Sequence, residues 1–167
     1  MQKQNLLILG AGQYGTIAGE TAQAMGCFSR IDFLDDANPS ALGKLSLCSD
    51  LRSSYDCAFV AIGDAWVRMH WLAELVRAGY EPAVLIHPRA WVSPSARLMG
   101  GTIVEPMAVV QANAVVEEGV LLCAGCVVNH NARVMRGCKI DCCAAVCANA
   151  TVPEAAYVPA GTCFGGK

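Results

Sequence analysis

The chain has 167 residues, with 12 basic and 14 acidic side chains, a net charge of −2 and an apolar fraction of 54%. A charge so near balance gives no basic footprint for nucleic acid or an anionic membrane surface, and no stretch reaches the roughly 18 apolar residues of a membrane span. The length suits one domain or two small ones. The opening MQKQNLLILGAG lacks the apolar length and cleavage pattern of a secretory leader, so the ten cysteines read as reduced thiols of a cytoplasmic protein.

Residues 5–9, NLLIL, form a short apolar strand that runs into Gly10-Ala11-Gly12-Gln13-Tyr14-Gly15. Tyr14, Ile17, Ala18, Thr21 and Met25 then recur at helical spacing, and Gly26 is placed to end the helix. Glycines between a strand and a helix let backbone approach a ligand, and the helix-end amides favour a phosphate. The same glycines would also serve a tight turn with no ligand. A second strand, Ile31–Leu34, ends at Asp35-Asp36, where an acidic side chain can accept ribose hydroxyl hydrogens. A third strand, 57–62, leads into Gly63 and Asp64, the latter a plausible N-cap. The helix beyond carries Val67, Trp71, Leu72, Leu75 and Val76 on one face, with Gly79 at its end. Between these elements, Pro39 and Gly43 mark turns in a stretch with little other pattern. The expectation is a Rossmann-like βαβαβα unit over residues 1–82. With only three strands before the pattern changes, no second half is left for a nicotinamide, so a nucleotide-sugar is the better ligand.

From Ile86 to Phe164 every sixth residue is a large apolar one, fourteen positions in a row without a break. The residue two places earlier is nearly always small, as at Ala90, Ala108, Cys126, Ala144 and Thr162. A six-residue period in fixed phase specifies a parallel β-helix over residues 83–167; neither a helix nor an ordinary half-buried strand holds that register. Residues three hexads apart then stack. Of the three outer faces, one stacks Trp91, Val109, Val127 and Ala145, another Leu85, Ile103 and Leu121, and a more polar third Arg97, Val115, Arg133 and Thr151. Apolar outer faces need cover, from subunit packing in a homotrimer or from the N-terminal domain. Cys123 and Cys126 have the CxxC spacing of a zinc site, but Cys126 and Cys138 fall on the inward small position while Cys123 and Cys142 fall at turns on different levels. Cysteine as a small apolar filler, with no metal, is the expectation.

The sequence resembles a sugar acyltransferase family that includes sialic acid O-acetyltransferases and UDP-4-amino-sugar N-acetyltransferases. The motifs that carry the resemblance are ILGAGQYG at 8–15, FLDD at 33–36, AIGD at 61–64, LIHPRAWVSPSA at 85–96 and CVVNHNARV at 126–134. It implies a Rossmann-like nucleotide-sugar domain joined to a left-handed β-helix of hexapeptide repeats, assembled as trimers. It also implies direct transfer of acetyl from acetyl-CoA to a UDP-amino-sugar type of acceptor in cell-surface glycan biosynthesis, with no acyl-enzyme. His130, two residues after Val128, matches the family's catalytic histidine, and a histidine suits removal of a proton from an attacking amine or hydroxyl. Gly12, Gly15, Asp35, Asp36 and Gly63 match the nucleotide-sugar site. Arg68 reads as a pyrophosphate contact or as a solvated helix charge.

The chain also departs from the family. Asn131 stands where an acidic residue usually orients the histidine, and Lys139 where a second histidine often contacts acetyl-CoA. Ala148 replaces a glycine whose amide faces the thioester carbonyl, though alanine keeps that N–H. Relatives continue for roughly two further coils, whereas this sequence runs to Phe164-Gly165-Gly166-Lys167. These departures leave open an acyltransferase-like protein that binds a nucleotide-sugar without transferring acyl groups. A small NAD-dependent oxidoreductase rests on GAGQYG and Asp35 alone.

Overall fold

Leu6, Leu7, Ile8 and Leu9 have no exposed surface, as an apolar run must when a parallel sheet is covered on both faces. They lie in β1 (Gln4–Leu9). The computed structural model describes residues 3–166, which divide into one compact unit ending at Leu85 and another beginning at Ile86. In the first, β1 is followed by α1 (Gln13–Met25), β2 (Phe28–Leu34), two 3-10 turns at Leu45–Cys48 and Arg52–Ser54, β3 (Cys57–Val60), α2 (Ala65–Arg77) and β4 (Glu81–Pro82). The parallel sheet has the order β2-β1-β3-β4. The chain winds one way through α1 and the other way through α2, so the order reverses between β1 and β3. That is where an open α/β sheet forms a crevice beyond its strand ends. The βαβαβα expectation is corrected in two places: two short 3-10 turns stand where its middle helix would, and a fourth strand, β4, is added, short and at the edge. Pro82 costs no ladder bond there.

The helices bury only part of the faces their apolar residues suggested: Ala18, Thr21, Leu72 and Leu75 are inside as expected, and others are not. In α1 the buried residues are Gly15, Ala18, Gly19, Thr21 and Ala22, while Ile17 is exposed. The helix lies so close to the strands that only small residues fit: a Cβ on Gly15 would sit 2.2 Å from the Gly10 carbonyl oxygen, and one on Gly19 2.8 Å from the Phe33 ring. In α2 the buried residues are Arg68, Leu72 and Leu75, and Val67 and Val76 face solvent.

The second unit is a three-sheet prism of two-residue rungs, the arrangement of a left-handed β-helix. Its sheets are parallel stacks in the register that the hexad phase requires: Val109 pairs with Val127 and Val127 with Ala145, Val115 with Arg133, and Leu121 with Lys139. The inward aliphatics Val104, Val110, Val116, Leu122, Val128, Val134, Ile140 and Val146 are fully buried, and so are the small Ala108, Ala114, Cys126, Ala132, Cys138 and Ala144 between them. Cys126 and Cys138 fill space as expected. Among the described residues no group of three or more histidine, cysteine or acidic side chains is placed to hold a metal. The outer stacks differ. Leu85, Ile103 and Leu121 are wholly buried within the single chain, whereas Trp91 is 61% exposed, and Val109 and Val127 above it are only partly covered.

From Leu98 onward each corner turns on a residue with positive φ three places after an inward aliphatic; the first two corners, at Arg89 and Ser95, do not. Asn113 (58°), Asn131 (57°) and Asn149 (61°) form one edge, while Gly101, Gly119, Gly137 and Ala155 form another. The third edge holds Met107, Gly125, Cys143 and Gly161. Asparagine and glycine visit this region at least cost, and other L-residues lose roughly 1–2 kcal/mol there. Corner amides bond to the coil below, as from Asn131 N–H to the Ala112 carbonyl at 3.0 Å.

Because one inward side chain fills each rung with no spare volume, Ile140→Ala should destabilise the second unit by about 2–5 kcal/mol. Urea unfolding followed by circular dichroism checks it; an unchanged midpoint would contradict the packing described.

Candidate active site

Three glycines in the first unit have separable tasks. Gly10, at φ +103°, lets β1 turn out beneath the loop after β3, where a Cβ would lie 2.6 Å from the Ala61 carbonyl oxygen. Gly15 is buried and seats α1 on that same turn, so it is a packing residue and does not face a ligand. Gly12 is the N-cap of α1, with no side-chain cap, and a Cβ there would meet nothing within 4 Å. Gly63, beyond β3, is equally open. The N-terminal end of α1, which has no side-chain cap, and two uncovered glycines thus border the crevice, where backbone N–H groups and the helix dipole suit an anion.

Asp35 is used within the protein. Its Oδ2 accepts the Ala11 N–H at 2.7 Å, and its Oδ1 accepts the N–H groups of Ala37 and Asn38 at 2.8 and 2.9 Å. The Ala11 bond, followed by that from Ala37, holds its carboxyl below the usual range. Asp35 therefore anchors the glycine loop to the turn after β2, and its oxygens are directed at backbone rather than at a ribose. Asp36 is exposed and caps the first 3-10 turn through Leu45 N–H at 3.0 Å. Asn38, which the sequence pattern did not single out, donates to the Ala11 carbonyl at 3.0 Å and accepts from Ser40 N–H at 2.9 Å. Beside it lies an open pocket of about 170 Å³ lined by Ala11, Thr16, Phe33, Asn38, Ser40 and Ala41.

Arg68 requires a correction. It is only 1% exposed, and its Nη1 donates to the Ile62 and Gly63 carbonyls, each at 2.8 Å. The guanidinium holds the loop after β3 from within, so it is neither a pyrophosphate contact nor a solvated charge. Asp64 caps α2 by accepting Val67 N–H at 2.9 Å.

In the β-helix, His130 is exposed at the corner between the rungs Val127–Val128 and Arg133–Val134. Its backbone N–H donates to Gln111 Oε1 at 3.2 Å, and its Nδ1 lies 3.4 Å from the same oxygen. Asn131 makes the corner itself, and its Oδ1 accepts from Asn113 Nδ2 at 3.3 Å. Directly above His130 is the half-buried Ala148, whose N–H enters no hydrogen bond among the described residues.

Lys139 lies on a different side of the prism, in the stack with Leu121 and Tyr157. Its Nζ is 3.2 Å from Asp141 Oδ2 and 5.5 Å from the Tyr157 ring centre. The Tyr157 hydroxyl donates to the same carboxylate at 2.7 Å. That bond is the largest reason the Asp141 carboxyl is held down at about 2. One chain therefore brings together His130, Gln111 and Ala148, and leaves Lys139 elsewhere.

Residues 5–75 match the PglD N-terminal domain. The structure superposes on the acetyltransferase domain of PglB from Neisseria gonorrhoeae FA1090, solved in complex with acetyl coenzyme A, with a TM-score of 0.93 and 30% identity over 96% of this chain and 82% of that one. This chain belongs to the PglD-like hexapeptide acetyltransferase family. A more distant likeness, in fold alone, is to a GDP-perosamine N-acetyl transferase variant from Caulobacter crescentus, with a TM-score of 0.75 and 21% identity over 96% and 90% of the two chains. WeeI from Acinetobacter baumannii AYE shares the fold at a TM-score of 0.60 and 14% identity, over 96% and 94% of the chains. No helix among the described residues is long and apolar enough to cross a membrane.

Two predictions follow from this geometry. Gly15→Ala should prevent stable folding of the first unit, because the added carbon meets backbone that has nowhere to go. Gly12→Ala, whose added carbon meets nothing within 4 Å, should still fold, with only the modest loss of stability of an alanine N-cap, and should weaken ligand binding; thermal denaturation of the pair separates the two roles. The Asp141 carboxyl, held at about 2 against the ordinary 3.8, stabilises the fold fully at pH values above the ordinary pKa. That contribution is lost as pH falls between these two values. Asp141→Asn should flatten the acid limb of a stability profile in that window, and an identical limb would refute the coupling.

Proposed function

We propose that this protein transfers an acetyl group from acetyl-CoA to the amino group of a nucleotide-activated amino sugar, a step in glycan biosynthesis. The observation that carries the reading is the whole-chain likeness to an acetyltransferase domain bound to acetyl coenzyme A, with His130 on an exposed corner below the open Ala148 N–H. The crevice of the first unit, with Gly12, Gly63 and the N-terminal end of α1, supports a nucleotide diphosphate, and the pocket beside Asn38 offers room for part of the same ligand.

In this reading the sugar nitrogen attacks the thioester carbonyl as His130 takes its proton. The carbonyl oxygen gains negative charge and accepts the Ala148 N–H, which enters no hydrogen bond among the described residues. Collapse of the tetrahedral centre breaks the carbon–sulfur bond, and CoA leaves as its thiol on taking from His130 the proton that came from the sugar nitrogen. The amide nitrogen keeps the acetyl group, so no enzyme side chain is acylated. A homotrimer is part of the proposal: the exposed Trp91 stack is an apolar strip on one side of a three-sided prism, which a neighbouring subunit would cover.

Calorimetric titration with acetyl-CoA, with and without UDP-N-acetylglucosamine, tests binding, and a panel of UDP-amino-sugars tests turnover. Micromolar acetyl-CoA binding with acetylated product is expected. Sugar-nucleotide binding with no acetyl-CoA binding would favour a non-catalytic relative. His130→Ala should lower kcat about 10²–10⁴-fold; full turnover in that variant would remove the general base. Light scattering should give the mass of three chains, and a monomer at micromolar concentration would refute the trimer.

A further inference from the structure

A histidine that removes a proton needs its lone pair on the nitrogen facing the substrate, and an exposed imidazole does not choose that nitrogen by itself. Within the coil below, Gln111 supplies a choice. Its side-chain oxygen is 3.2 Å from the His130 backbone nitrogen and 3.4 Å from Nδ1. A backbone N–H can only donate, so the oxygen of the Gln111 amide, and not its NH₂ group, must point at His130. That oxygen can only accept, so Nδ1 must carry the proton in this contact. In neutral imidazole the lone pair is then on Nε2, the nitrogen directed away from Gln111.

We infer that Gln111 is a positioning residue that fixes His130 in the Nδ1–H tautomer and so makes Nε2 the base. The inference rests on the reading of His130 as the proton acceptor. It also accounts for Asn131, which stands where the resemblance leads one to look for an orienting acid. Asn131 adopts φ +57° to turn the corner, and its side-chain oxygen is engaged by Asn113. The orienting group has moved from the neighbour in sequence to the neighbour in the stack. Gln111 is half-buried and touches none of the reacting atoms, so it acts through His130.

The test combines histidine nitrogen NMR with steady-state kinetics on the full chain. Wild-type protein should show His130 with Nδ1 protonated and Nε2 bare at a pH where the ring is neutral. Gln111→Met keeps the volume and removes the acceptor; it should give a tautomer mixture and lower kcat about tenfold, the scale of one lost hydrogen bond, with KM for both substrates unchanged. Gln111→Glu restores an acceptor and should recover both the single tautomer and most of kcat. A wild-type Nε2–H tautomer would overturn the inference, as would a Met variant with unaltered tautomer and kcat. If the Met variant does not fold, the wild-type tautomer and the Glu variant still decide. A protein that transfers no acetyl group yet loses the Nδ1–H signature in the Met variant upholds the role of Gln111 and rejects the proposed reaction.

Discussion

From Gly101 onward the β-helix changes direction at residues with positive φ, and much of the second unit follows from where those residues stand. They recur three places after each inward aliphatic from Leu98 to Val158, so the buried column and the corners share one six-residue clock. The edge formed by Asn113, Asn131 and Asn149 uses side chains that tolerate the conformation and can also bond along the edge, as Asn113 does to Asn131 at 3.3 Å. His130 immediately precedes one of these turns. Its backbone is therefore fixed by the corner, while its side chain is left outside the prism. Rigid backbone with a free imidazole is a suitable arrangement for a base that must meet a mobile substrate.

Close backbone approach plays the corresponding part in the first unit. The carbonyl of Gly10 lies where a Cβ on Gly15 would have to go, and the Ala61 carbonyl lies where one on Gly10 would. These contacts draw the loops after β1 and β3 together at the reversal in strand order. Asp35 and Arg68 then tie each loop down from the protein side, one by accepting from Ala11 and the other by donating to Ile62 and Gly63. What remains open to solvent is mostly backbone: Gly12, Gly63 and the first turn of α1. The charged residues that invite assignment as ligand contacts hold the rim in shape, and the uncharged rim faces the crevice.

Much of this was legible in advance. The hexad count specified three parallel stacks with the observed register, and the run from NLLIL through GAGQYG specified strand, turn and helix. Helix faces were less legible, because hydrophobicity marks what seeks burial and not how near the helix approaches. Gly15 and Gly19 pack where Ile17 was expected to, since the contact distance favours the smallest residues. Arg68 reads from the sequence as a pyrophosphate contact or a solvated charge because nothing in its local pattern says that two carbonyls wait for it inside. Asp35 stands at the spacing that suggests a ribose contact, yet its carboxylate accepts the Ala11, Ala37 and Asn38 N–H groups.

The sequence by itself determined the period of the second unit, the position of His130 just before a corner, and the identity of the glycine loop. Each is a local property, set by which side chains can be buried and which backbone angles a residue tolerates. Only the tertiary structure decided that Gln111 faces His130, that Lys139 does not, and that Asp35 and Arg68 are spent on backbone groups. Those outcomes depend on which way a side chain turns once coils and loops are stacked, and hydrogen-bond partners separated by a whole coil or a whole crossover leave no periodic trace in the chain.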